Sequence, residues 1–96
     1  MTIDTLLTSP DMYVLFDGCP TCNPETTKFL DSCHTTAQWM WRQLHVVPSG
    51  SPTATAIRTI AKNQNKPIKY PLILLNGKIH YTPTEIINNN DERTTE

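Results

Sequence analysis

The sequence predicts one α/β domain, with a four-stranded mixed sheet, helices on both faces and the element order β-α-β-α-β-β-α. Three observations predict it. A short continuous apolar run, Met12 to Phe16, gives way to a stripe of apolar residues at helical spacing. A second run, Leu72 to Leu75, meets Asn76-Gly77 and then Lys78 to Tyr81, which is the pattern of a hairpin. The chain has 96 residues, enough for one modest core and for no second folded module.

Taken in order, residues 1–11 form an N-terminal extension in which Ile3, Leu6 and Leu7 have the spacing of a helical turn. Ser9-Pro10-Asp11 ends that turn. Met12 to Phe16 is apolar throughout, as in a strand buried on both faces, and stops at Asp17-Gly18. From about Thr21 to Cys33, the residues Cys22, Thr26, Phe29, Leu30 and Cys33 fall on one helical stripe. Glu25 suits the first turn of that helix, where the dipole favours a carboxylate, and Pro24 is tolerated there.

Gln38 to Val47 alternates, with Trp39, Trp41 and Gln43 opposite Met40, Arg42, Leu44 and Val46. This predicts a second strand, placed at a sheet edge by Arg42 and His45. Ser51-Pro52 reads as an N-cap with proline at the first helical position. Ala54, Ile57, Ile60 and Ala61 then form an apolar face, with Arg58 and Lys62 pointing outward. Asn63 to Pro67 ends the helix. Asn76-Gly77 accepts the positive φ that a tight hairpin turn requires. Thr82-Pro83-Thr84-Glu85 is a capping box that opens a short helix through Ile86 and Ile87. Residues 89–96 form a polar tail. The helix between the first two strands makes them parallel, and the last two strands are antiparallel.

The formal net charge is -1, with the charges scattered, so nothing points to a nucleic-acid or membrane partner. The N-terminus has no basic leader and no long apolar stretch. The expectation is a soluble, monomeric protein of the reducing cytoplasm. The chain has three cysteines, too few for a secreted disulfide scaffold. In a reducing compartment a close pair suggests catalysis or a metal.

Cys19-Pro20-Thr21-Cys22 falls where the first strand hands over to the first helix. A thiolate on Cys19 would meet the unpaired amides and positive end of that helix, which raises its reactive fraction. Pro20 has no N–H, so the amides of Thr21 and Cys22 are the expected donors. Cys22, on the apolar stripe, is expected to be the more buried sulfur. In that arrangement Cys19 attacks a substrate disulfide and Cys22 resolves the mixed disulfide. The bland readings are half a zinc site or two ordinary cysteines. Zinc needs two more ligands, and Cys33 and His34 are the nearest. On a continuous helix Cys33 stands eleven residues beyond Cys22. That is about 16 Å along the axis, too far to share a metal or a disulfide. His34, His45 and His80 are isolated, and none is assigned to catalysis. Cys33 reads as a buried helix residue.

Val14-Leu15-Phe16-Asp17-Gly18-Cys19-Pro20-Thr21-Cys22 resembles the first strand and Cys-Pro-Tyr-Cys motif of glutaredoxins, with Thr21 in place of tyrosine. Tyr70-Pro71-Leu72-Ile73-Leu74-Leu75-Asn76-Gly77 resembles the segment of that family which carries a cis-proline into the hairpin. The likeness spans about Met12 to Ile87. It implies a thioredoxin-like fold and a thiol-disulfide oxidoreductase, with Cys19 and Cys22 catalytic. It also implies that Pro20, Thr21, Tyr70, Pro71 and Thr84 meet the substrate and that Pro71 is cis. On the residues alone, Pro71 reads as an ordinary trans proline opening a strand. No bound cofactor or metal is implied. Electrons would come from glutathione or thioredoxin reductase, and the client would be a protein disulfide, as in ribonucleotide reductase, or a glutathione mixed disulfide.

The chain departs from the glutathione-using pattern at Tyr81-Thr82-Pro83, where a Gly-Gly pair is usual, and at Asp17-Gly18, where a basic residue is common. Lys66 and Lys69 could supply positive charge near Pro71. Two other classes stay open. A non-catalytic thioredoxin-fold module could bind a partner through Trp39 and Trp41. A zinc or iron-sulfur protein could use the cysteines as ligands.

Overall fold

The computed structural model describes residues 3–18 and 22–86, and every structural statement here concerns those residues. Cys19, Pro20 and Thr21, Ile87 and the polar tail 89–96 lie outside them. The elements are α1 (Ile3–Thr8), β1 (Met12–Leu15), α2 (Pro24–Trp39), β2 (Leu44–Val47), α3 (Pro52–Asn63), β3 (Leu72–Leu75) and β4 (Lys78–His80). Residues 83–86 are again helical. The four strands form one mixed sheet in the order β2-β1-β3-β4. β1 and β2 are parallel, while β3 is antiparallel to both β1 and β4. No helix among the described residues is long and apolar enough to cross a membrane.

Alternation within the two central strands builds two cores. Tyr13, Leu15, Leu72 and Leu74 face Leu6 of α1 and Ile57, Ile60 and Ala61 of α3. Met12, Val14, Ile73 and Leu75 face Cys33 and Ala37 of α2 and Ile86 beyond β4. Both central strands are therefore buried on both sides, as their unbroken apolar runs require. The expected N-terminal extension belongs to this core, because Leu6 is fully enclosed.

Each long helix opens on an Asx or Ser cap followed by proline. Asn23 Oδ1 accepts the Glu25 N–H at 2.9 Å, and Ser51 Oγ accepts the Ala54 N–H at 3.2 Å. Each also ends alike. Trp41 N–H donates to Gln38 O and Arg42 N–H to Ala37 O, with Trp41 at φ 58°. Asn65 N–H donates to Lys62 O and Lys66 N–H to Ala61 O, with Asn65 also at φ 58°. Both are Schellman closures with a left-handed residue just past the cap.

These ends correct two expectations. The first helix starts at Pro24 rather than Thr21, because Asn23 is the cap and proline follows it. It also runs on to Trp39, so the second strand is only Leu44–Val47 and not the whole of 38–47. The alternation of Trp39 and Trp41 belongs to a helix end and its turn. β2 does lie at an edge of the sheet. The hairpin turn has Asn76 at φ 54° and Gly77 at φ 77°. At Gly77 a Cβ would also come within 3.0 Å of the Leu7 carbonyl oxygen, so position 77 needs glycine for space as well as for φ.

Candidate active site

The site is built where one end of the sheet meets α2. Leu15 pairs with Leu72 across β1 and β3, and Ile73 pairs with His80 across β3 and β4. Three chain segments consequently emerge at the same sheet end: Phe16 onward, Tyr70-Pro71, and Tyr81 onward. The first leads to the Cys-Pro-Thr-Cys motif, the second is the proline segment and the third holds Thr84. Strand register thus sets Phe16–Gly18, Tyr70-Pro71 and the Tyr81–Thr84 segment at one end of the sheet.

Phe16 is buried and meets Phe29 of α2 edge to face, with centroids 6.1 Å apart. Asp17 and Gly18 are exposed. Cys19, Pro20 and Thr21 lie outside the described residues. Cys22 is exposed and disulfide-bonded. It stands ahead of the Asn23 cap rather than on the helix stripe, which corrects the expectation of a buried resolving sulfur. Its own amide is likewise outside the helix. The first-turn donors of α2 come from Glu25 onward, since Pro24 has none, and the Asn23 side chain takes the first of them.

The Tyr70-Pro71 peptide bond is cis, as the glutaredoxin resemblance implies and the bare sequence does not. The Tyr70 ring is half-buried against the α3 core. Its hydroxyl accepts a hydrogen bond from Arg58 Nε at 2.9 Å, and the guanidinium carbon lies 6.0 Å from the ring centroid. Arg58 Nη2 donates to the Ser49 carbonyl oxygen at 2.8 Å. Arg58 is therefore turned across the site end and not outward as expected. The sequence held a clue, for Arg58 follows Ala54 by four and precedes Ala61 by three, at the border of the buried stripe.

Thr84 is exposed in the turn at 83–86. The Thr82 cap around it forms, with the return bond one residue earlier than a capping box places it. The Glu85 N–H donates to Thr82 Oγ1 at 3.3 Å, while Glu85 Oε2 accepts the Tyr81 N–H at 3.1 Å. Lys66 and Lys69 are exposed, and Lys66 lines a groove at the β4 edge with Gln64, Lys78 and His80. A second groove of about 420 Å³ adjoins the site, lined by Phe16, Gly18, Val46, Val47, Pro48, Ser49 and Gly50.

Cys33 is a free thiol with no exposed surface, and burial pushes its pKa up to about 12. A thiol held in its neutral form is a poor nucleophile and a poor metal ligand. His80 is held below the ordinary histidine range, first by burial, with Glu85 opposing and Lys78 and Lys66 reinforcing. His45 lies away from the site, on the Asp11 carboxylate at 2.8 Å and stacked on Tyr13. Among the described residues no three histidine, cysteine or acidic side chains come close enough to hold a metal ion. Trp39 and Trp41 are 56% and 94% exposed, and they flank the far end of α2.

No protein-family model, curated protein or solved structure matches this chain.

Proposed function

We propose that this chain is a dithiol-disulfide oxidoreductase of glutaredoxin type, with a thioredoxin-like fold. The observation that carries the reading is Cys22. It is exposed, disulfide-bonded and set immediately ahead of the capped N-terminus of α2, on the segment that follows β1, whose last residue pairs with Leu72 just after Tyr70-Pro71. From the Cys-Pro-Thr-Cys spacing, Cys19 is the redox partner we assign to Cys22. The bonded pair is then the oxidised end of a two-electron cycle.

In the reduced protein, the Cys19 thiolate attacks one sulfur of a client disulfide. A mixed disulfide forms and the other client sulfur leaves as a thiolate, which takes a proton from water. The Cys22 thiolate then attacks Cys19 Sγ, closes the intramolecular bond and releases the second client thiol. The client gains two electrons and the protein loses two. Two molecules of glutathione, or a reductase, restore the dithiol. Tyr70 and Pro71 offer the surface on which the client lies, and Pro20, Thr21 and Thr84 are the further client contacts that the glutaredoxin resemblance implies.

The test is steady-state reduction of a disulfide substrate, with glutathione or with thioredoxin reductase as donor. Wild-type protein turns over with at least one donor, and Cys19→Ser falls to background. Wild-type rates no better than those of Cys19→Ser with either donor would leave the fold as a binding module.

A further inference from the structure

We infer that Arg58 is a positioning residue that braces two walls of the client-binding surface, a role that rests on the oxidoreductase reading. One guanidinium reaches both walls. Its Nε donates to the hydroxyl of Tyr70, one residue ahead of Pro71, and its Nη2 donates to the carbonyl of Ser49. Ser49 belongs to the segment that lines the groove beside Phe16 and Gly18, so this second wall runs up to the residue preceding Cys19. In the 48–51 segment Pro48 O accepts from both the Ser51 N–H and the Ser51 hydroxyl, and Ser51 is tied to α3 by the Ala54 and Thr55 N–H groups. Among the described residues, Arg58 is the donor that holds the Ser49 carbonyl.

The chemistry fits a brace better than an ion pair. Among the described residues no carboxylate forms a salt bridge with Arg58, and both oxygens it holds are neutral. A planar fork with fixed donor directions can join two acceptors on different segments, and lysine, with one compact ammonium, is the poorer bridge. Tyr70 supplies what a smaller residue at that position could not, a hydroxyl long enough to reach α3. An extended peptide around a client disulfide spans both walls, whereas a small disulfide does not. Arg58 therefore sets the preference for peptide over small substrates.

The experiment compares a cystine-bridged peptide with hydroxyethyl disulfide, using wild type, Arg58→Met, Arg58→Lys, Tyr70→Phe and the Arg58→Met/Tyr70→Phe double variant. Arg58→Met removes both hydrogen bonds and raises KM for the peptide about tenfold, and the change falls on KM rather than kcat. The loss with hydroxyethyl disulfide is several-fold smaller, and Arg58→Lys recovers part of the peptide KM. The double variant is no worse than the worse single one, because both break the same bond. A peptide KM unmoved by Arg58→Met, equal losses on both substrates, or single effects that multiply would each overturn the brace. Wild-type protein that reduces neither substrate faster than Cys19→Ser would instead overturn the oxidoreductase reading itself.

Discussion

α2 and α3 are written in the same local grammar and used for opposite purposes. Both open on a polar cap and proline, and both close on a Schellman turn. α3 buries Ala54, Ile57, Ile60 and Ala61 along its whole length, so it is a structural brace for one face of the sheet. α2 buries Cys33, Thr36 and Ala37, all in its C-terminal half. It opens with Pro24 and Glu25 exposed, and Thr26, Thr27, Phe29 and Leu30 are only half-buried after them. A helix start left open to solvent is available to chemistry, and a helix start packed into the core is not. The disulfide-bonded Cys22 precedes the open one.

This contrast can be broken first in the packing. Ile57→Ala should cost about 2–5 kcal/mol, the range for a fully buried aliphatic side chain, read from urea unfolding. Leu30→Ala on α2 should cost clearly less, because Leu30 is only half-buried. Equal losses would mean that α2 is packed as tightly as α3.

The turns at the C-terminal ends come next. Trp41 holds a left-handed backbone that costs a non-glycine residue roughly 1–2 kcal/mol. Trp41→Gly should therefore stabilise the fold by about 1 kcal/mol. Asn65→Gly should change little, since asparagine already tolerates φ 58°. A loss of stability in Trp41→Gly would show that the exposed indole makes a contact worth more than the strain.

The caps separate the two helix starts on a finer scale. Ser51→Ala should cost about 1 kcal/mol, because Ser51 both caps α3 and donates to Pro48 O. Asn23→Ala should cost about 0.5 kcal/mol of stability at its exposed site. Its larger effect should be a slower disulfide exchange, as the helix start beside Cys22 frays.

The smallest effect is chemical. Cys33 should resist iodoacetamide at pH 8 in the folded, reduced protein while the other two cysteines react. Its folded pKa lies above the ordinary value of 9.0, so its stabilising contribution is complete below pH 9.0 and fades as pH rises toward about 12. Cys33→Ala should flatten that alkaline decline in a pH series of unfolding midpoints.

Much of this was legible in the residues. Asn76-Gly77 announced a hairpin because few residues accept positive φ twice running. Met12 to Leu15 and Leu72 to Leu75 announced central strands because nothing polar interrupts them. The end of α2 was not legible, since Trp41 stands where glycine usually marks the stop, and tryptophan reads as a strand former. Its start was misplaced because helical periodicity tolerates Cys22 on the stripe, although Asn23-Pro24 repeats the grammar of Ser51-Pro52 and Thr82-Pro83. Arg58 to Tyr70 and Asp11 to His45 are tertiary contacts, and no local pattern announces which partner a side chain on the border of an apolar stripe will find.

The most direct test of the central claim is to trap the mixed disulfide. Reduced Cys22→Ser and Cys19→Ser proteins are incubated with a cystine-bridged peptide and, separately, with glutathione disulfide, and the intact masses are read after the free disulfide is removed. The account predicts a persistent mixed disulfide on Cys22→Ser with at least one of the two, carried by Cys19, and little on Cys19→Ser. No adduct on either variant, or one retained on Cys19→Ser alone, would contradict it.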